Sequence, residues 1–219
     1  MSLQTRIEKT RAAIRRRKHN REVHRRKHQG AKARREARAI RRLRKVLANL
    51  LRPRPEVMYD SVTVSAIPED AKAVAGYVNG RYVTVPDLRK RYGHGTQIVT
   101  IAVTSAVVAD CLDVEPGDAT NSDAPRWFKD FKHQRPNDKP IFYTSASNAS
   151  ALVATLAAAG IRRGDYKLWT AHYGAGKHLC GPDTCKLTSH HADATQWTVA
   201  SHGRNLDESV CRRSFWERG

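Results

Sequence analysis

No segment of the sequence approaches the roughly 20 consecutive apolar residues that a bilayer-crossing helix needs, which excludes a transmembrane helix. No apolar run of signal-peptide length follows the basic N-terminus, so no secretory signal is read there. Residues 1–51 lack proline and hold one glycine, Gly30, so the two residue types that interrupt helices are nearly missing. Residues 1–54 also lack Phe, Trp and Tyr. With no aromatic to stack on bases and no base-reading motif, there is no case for sequence-specific nucleic-acid recognition. Acids are scarce in the same stretch: 21 Lys and Arg face only Glu8, Glu22 and Glu36, a net of +18. The other 165 residues hold 19 basic against 18 acidic side chains, a net of +1, so the basic character belongs to the first 54 residues.

Cysteine is limited to Cys111, Cys180, Cys185 and Cys211. Cys180 and Cys185 close a short Gly/Pro turn, which reads as a local disulfide or as free thiols. Their C-x4-C spacing is longer than the usual C-x2-C, which weighs against a metal pair although His178, His190 and His191 lie nearby. No metal site and no cofactor is assigned. Cys111 and Cys211 read as buried singles or a second bridge, His172 as a structural residue within a strand, and His178, His190 and His191 as surface-loop residues.

What is present begins with a long basic helix over residues 1–51, rich in Arg, Lys, Ala, Glu and Leu. Ile40, Leu43, Val46, Leu47, Leu50 and Leu51 fall on one face as an amphipathic stripe. Leu3, Ile7, Ile14 and Val23 are too few for a core, so the first half reads as solvated, or disordered in isolation. Its cations suit a polyanion: Arg15, Arg16, Arg17, Lys18, Arg25, Arg26, Lys27, Arg34, Arg35, Arg41, Arg42, Arg44 and Lys45 are the candidate contacts. The partner would be the phosphates of a nucleic acid, an anionic wall polymer or a membrane surface; a solubilising tether is the alternative. The segment "RPRPE" at 52–56 breaks the helix and divides the chain into an arm, 1–54, and a body, 55–219.

The body alternates short apolar runs with helical pieces. Strand segments are read at 57–62, 75–80, 97–104, 109–115, 140–145, 166–173, 192–198 and 205–210. Helices are read in "PEDAKAVA", "VPDLRKRYG", "APRWFKDFKHQ" and "NASALVATLAAAG". Eight strands with mostly helical crossovers predict a compact parallel (β/α)8 barrel of TIM type, with an open doubly wound sheet as the fallback. In such a barrel functional groups come from the C-terminal strand ends. Acids recur there: Asp60 on the first strand, Asp113 and Glu115 on the fourth, Asp207 on the eighth. Residues two apart on a strand share a face, so Asp113 and Glu115 repel, and the carboxyl in the driest spot takes up a proton near neutral pH. Such an acid can protonate a glycosidic oxygen while ionised neighbours stabilise positive charge on the sugar ring. Tyr143, Trp169, Tyr173 and Trp197 offer flat faces for sugar rings, or are ordinary packing residues.

Asp60, "DVE" at 113–115, "PIFYTS" at 140–145, "LWTAHY" at 168–173, "TQWT" at 195–198 and "LDES" at 206–209 occur in the order of the glycoside hydrolase family 25 lysozymes. The resemblance covers roughly residues 57–212 and is to a divergent branch, similar to lysozyme-like domains of actinobacteria and their phages. It implies cleavage of the β-1,4 bond between N-acetylmuramic acid and N-acetylglucosamine in peptidoglycan. It implies Glu115 as general acid, Asp113 as the carboxylate that stabilises the intermediate, and Asp60 and Asp207 as flanking acids. Gln196 and Trp197 join Tyr143, Trp169 and Tyr173 as substrate-binding candidates. The protein would be made in the cytoplasm and act at the cell wall if released, or travel in a virion. The rival expectation is a catalytically silent binding or virion-structural barrel whose arm holds a polyanion.

Overall fold

The proline-free stretch 1–51 folds as two helices rather than one. In the computed structural model, which describes residues 2–51, 56–185 and 190–217, α1 runs Leu3–Arg26 and α2 runs Gly30–Leu51. Ser2 caps α1 by accepting the Thr5 N–H, and His24, Arg25 and Arg26 place positive charge against the carbonyl end of the helix dipole. The chain turns through His28, whose φ of 53° is left-handed, and Gln29 N–H bonds back to the His24 carbonyl at 2.8 Å. The helices pack on one another, and Ile7, Ile14, Ala33 and Ile40 are buried. The expected solvated first helix is therefore corrected: apolar residues too sparse for a core of their own suffice once a second helix covers them. Of the expected stripe, Ile40 is buried while Val46 is exposed. The side chains of Leu50 and Leu51, and the breaker residues 52–55, lie outside the described residues.

Residues 1–54 and 55–219 form separate units. In the second, β1 (Val57–Asp60), β2 (Ala73–Tyr77), β3 (Gln97–Ala102), β4 (Cys111–Asp113), β5 (Ile141–Ser145), β6 (Lys167–Ala171), β7 (Ala194–Thr198) and β8 (Asp207–Cys211) close into an eight-stranded barrel, not the open sheet. Among the described residues, three crossovers carry α-helices: α3 (Val85–Arg91), α4 (Ala124–Gln134) and α5 (Ala149–Ala158). The helix expected in "PEDAKAVA" is absent, because β2 takes up its last residues and pairs with β3 from Ala73 onward.

The barrel is not wholly parallel. β8 runs antiparallel to both β7 and β1. Connection length does not set this, since residues 103–110 link β3 to β4 in parallel over as many residues as 199–206 use between β7 and β8. The reversal is made by His202 and Gly203, both at positive φ (54° and 67°).

Alternation along each strand sorts the side chains. Met58, Ala73, Ala75, Val99, Ile101, Cys111, Trp169, Ala171, Ala194 and Cys211 fill the interior, with Phe215 and Trp216 of the turn after β8 packed among them. Alanines on β2, β6 and β7 leave the room that Trp169 occupies. Outward residues such as Phe142, Leu168 and Tyr166 clamp Trp127 and Phe131 of α4 and Leu152 and Leu156 of α5.

Candidate active site

The alternation that sends Met58, Cys111, Ala194 and Ser209 inward also sends in the polar residue two positions nearer the strands' C-terminal mouth. Asp60 ends β1, Asp113 ends β4 and Gln196 lies on β7. Asp207 opens β8, and the reversed strand brings that start to the same mouth, opposite Asp60. Tyr143 is the register partner of Asp113. Asp60 and Asp113 form a floor, each only 3% exposed, whereas Glu115 and Asp207 are half-buried and Asp118 is exposed. The structure thus brings all four predicted acids to one mouth.

Hydrogen bonds join this floor into a chain. Tyr143 donates its hydroxyl to Gln196 Oε1 at 2.7 Å, which turns the amide nitrogen of Gln196 to Asp207. Asp207 in turn hydrogen-bonds Asp60, and Tyr173 hydrogen-bonds Tyr143. Asp60 Oδ2 and Asp113 Oδ1 are buried with no partner among the described residues. Unpaired acceptors of this kind are costly to bury as anions, and the proton affinities follow.

Burial pushes Asp60 well above the usual carboxylate range, reinforced by the charge and hydrogen bond of Asp207 and by Asp113. Burial raises Asp207 too, opposed by its hydrogen bonds with Asp60 and Gln196. Asp113 is raised to about 8 by burial, then by Glu115 and Asp118. Glu115 is raised by burial and by Asp118. The driest carboxyls are therefore Asp60 and Asp113, while Glu115 and Asp207 are the more accessible to a bound molecule. Proton affinity and accessibility fall on different residues.

Two expected sugar platforms are corrected. Trp169 is 1% exposed, stacks edge-on against Tyr143 at 4.7 Å and donates its indole N–H to Ser209 Oγ at 2.9 Å, so it is barrel core. Trp197 follows inward-facing Gln196 and lies on the outer face, donating to Glu208 Oε1 at 3.3 Å. Tyr143 belongs to the buried floor network. Tyr173, 47% exposed, is the predicted aromatic that stays open at the mouth. Tyr77 and Asp118 went unassigned from sequence. Tyr77 shares the inward parity of Ala73 and Ala75 on β2, and its hydroxyl is raised by burial and then by Asp60, Asp113 and Asp207. Cavities of about 460 and 750 Å3 lie beside the N-terminal strand ends and outside β3, and none of the four acids lines them.

In the arm, the predicted cations are exposed except Arg17, which bonds Glu36 across the two helices at 3.0 Å; exposed Arg26 pairs with Glu22. Cys180 and Cys185 are paired as a disulfide, and Cys111 and Cys211 are separate buried thiols inside the barrel. His172 and His178 turn ring nitrogens onto the Cys180–Cys185 pair, a cluster with the donor set of a metal site.

No protein-family model matches the chain, and no curated protein matches it. It is similar to the 1.07 Å crystal structure of an uncharacterized B. stearothermophilus protein, with a TM-score of 0.53 and 11% identity, over 74% of this chain and 98% of that one. At that identity the likeness shows a shared fold.

Proposed function

We propose that the acidic mouth is the active site of a lysozyme-type glycosidase acting on peptidoglycan strands, with the cationic helical arm as its anchor on an anionic polymer. The observation that carries this reading is the convergence of Asp60, Asp113, Glu115 and Asp207 on one barrel mouth with their proton affinities raised. Glu115 holds its proton to higher pH than a free carboxyl and is half-exposed, so it can pass that proton to a glycosidic oxygen. Asp113, protonated at neutral pH, hydrogen-bonds the substrate's N-acetyl group. Positive charge developing there favours the Asp113 carboxylate over the acid, so Asp113 releases its proton to water at the mouth as the bond breaks, and the resulting carboxylate stabilises that charge. The Asp60–Asp207 pair holds a proton behind them, and Tyr173 supplies an apolar face for a sugar ring.

One observation favours a second reading. Only Tyr173 among the four candidate aromatics is open at the mouth, a thin wall for a polysaccharide, which suits a catalytically silent binding or virion-structural barrel. Reducing-end analysis of purified peptidoglycan after incubation separates the two. Release of new reducing ends by the wild type and none by a folded Glu115→Gln variant is expected; equal release by the two proteins overturns the enzyme.

A further inference from the structure

The described residues of the connection from β6 to β7, 172–185 and 190–193, hold no helix, and four of their side chains gather into a knot. His172 Nδ1 lies 2.9 Å from His178 Nε2, and both point at Cys185 Sγ, at 3.1 and 3.0 Å. Each is also 3.6 Å from Cys180 Sγ, and all four atoms lie within 4.8 Å of one another. The imidazoles stand nearly perpendicular, at 84°. Cys180 is fully buried, its N–H donating to Thr195 Oγ1 of β7 and its carbonyl accepting from Ala192 N–H, both at 2.9 Å.

The tautomer of His178 is fixed by its other nitrogen. Nδ1 sits 2.7 Å from the Gly176 carbonyl, which can only accept, so Nδ1 carries the hydrogen and Nε2 directs a bare lone pair into the knot. A ring nitrogen donating to a backbone carbonyl is the outer contact that metal-ligating histidines make. The two cysteines are joined here as a disulfide, but a disulfide offers neither charge nor an S–H to draw two imidazole nitrogens onto it. Two thiolates sharing a cation do. A tetrahedral ion with metal–sulfur bonds of about 2.3 Å and metal–nitrogen bonds of about 2.0–2.1 Å sets its ligand atoms about 3.3–3.8 Å apart; the two nitrogens lie 3.6 Å from Cys180 Sγ, and a small outward shift of Cys185 Sγ from its 3.0 and 3.1 Å contacts completes the set.

We propose that, with its thiols reduced, the protein binds one Zn2+-class ion through His172 Nδ1, His178 Nε2, Cys180 Sγ and Cys185 Sγ, as a structural staple that ties the β6–β7 loop to β7. Mixed thiolate and imidazole donors in a tetrahedron select zinc among common divalent ions, and four protein ligands leave no open position for substrate. Two protons leave the cysteine thiols when the ion binds. Starting from the disulfide, two equivalents of a small thiol first supply two electrons and two protons, ending as their own disulfide. Disulfide and metal are thus alternative closures of the same loop. Because His172 precedes Tyr173, the staple also holds the exposed aromatic of the mouth; the proposal stands whether or not that mouth is catalytic. The sequence signature is H-x5-H-x-C-x4-C.

The test is metal uptake by the full chain, reduced with a phosphine and dialysed against Zn2+, with metal measured by plasma emission. One equivalent is expected, falling to none in Cys180→Ser/Cys185→Ser and His172→Ala/His178→Ala, and unchanged in Cys111→Ser/Cys211→Ser. Co2+ in place of Zn2+ is expected to give the intense ligand-field bands of a tetrahedral site with thiolate charge transfer, a reading of the wild type that needs no variant to fold. Absence of stoichiometric uptake by the reduced wild type, octahedral Co2+ spectra, or uptake that survives loss of both Cys180 and Cys185 overturns the proposal.

Discussion

Asp60 and Asp207 face each other as register partners across the antiparallel β1–β8 seam, and their carboxyls share a hydrogen bond. Two carboxylates cannot make that bond, so a proton is held between them. The seam exists because β8 runs backwards, and this pairing converts a strand reversal into a proton site.

The buried floor makes the fold sensitive to alkali. Asp113 is raised from 3.8 to about 8, so its contribution to stability is complete below its unfolded pKa and is lost as pH rises through the folded value. Asp60 and Asp207 shift in the same direction. Urea unfolding of the wild type should show stability falling between about pH 4 and 8, by on the order of a few kcal/mol at about 1.36 kcal/mol per pKa unit. Asp113→Asn should flatten that slope and be the more stable protein at pH 8; a steeper slope in the variant would contradict the assignment.

The proton on Glu115 is held partly by Asp118. If Glu115 is the general acid, Glu115→Gln should reduce glycan cleavage by about 10²–10⁴-fold. Asp118→Asn should instead keep activity and move the alkaline limb of its pH profile to lower pH, because removing a negative neighbour lowers the Glu115 pKa. A limb that stays in place or moves upward rules Asp118 out as the cause.

Asp110 secures the short β3–β4 connection. Its Oδ2 accepts from Thr100 N–H at 2.9 Å and the Thr100 hydroxyl at 2.7 Å, and its Oδ1 accepts from Arg135 Nη1 at 2.6 Å. Asp110→Ala strands the Thr100 donors and should cost about 1–3 kcal/mol in denaturant unfolding. Asp110→Asn, which keeps an acceptor, should cost less.

Gly76 lies on β2 where α3 crosses closely. A Cβ there would collide with Leu88 Cδ1 and come within 2.6 Å of Thr84 Oγ1, whose bond to Tyr77 N–H fixes the strand end. Gly76→Ala should lower stability by about 1–3 kcal/mol. Gly164→Ala, with nothing within 4 Å, should be close to neutral by the same thermal or urea measurement.

The exposed cations of the arm and Arg17 should behave differently. Replacing Arg15 and Arg16 by Ala in the full chain should lower the salt dependence of duplex binding by about 0.9 in log–log slope for each phosphate left without its arginine. Arg17→Ala removes the 3.0 Å bond to Glu36 and should lower arm helicity, read by circular dichroism, while leaving that slope nearly unchanged.

The amino-acid sequence by itself determined the charge division, the eight strands and the four acids that reach one mouth, because alternation and composition are local properties. Even so, Asp207 reached the mouth for a reason strand order did not contain: it opens a reversed strand. Which acid is dry was decided only in three dimensions, since burial depends on neighbours far along the chain. The same holds for Trp169, an aromatic on a strand whose place in the core is set by alanines on β2 and β7. The histidine–cysteine knot was the least legible feature. Cys180 and Cys185 alone, at a spacing longer than C-x2-C, pointed away from a metal pair, and only the loop's path beside β7 brings His172 and His178 to them. Side-chain chemistry is written residue by residue, but proton affinity and ligand sets belong to distances between elements, which closure of the barrel fixes.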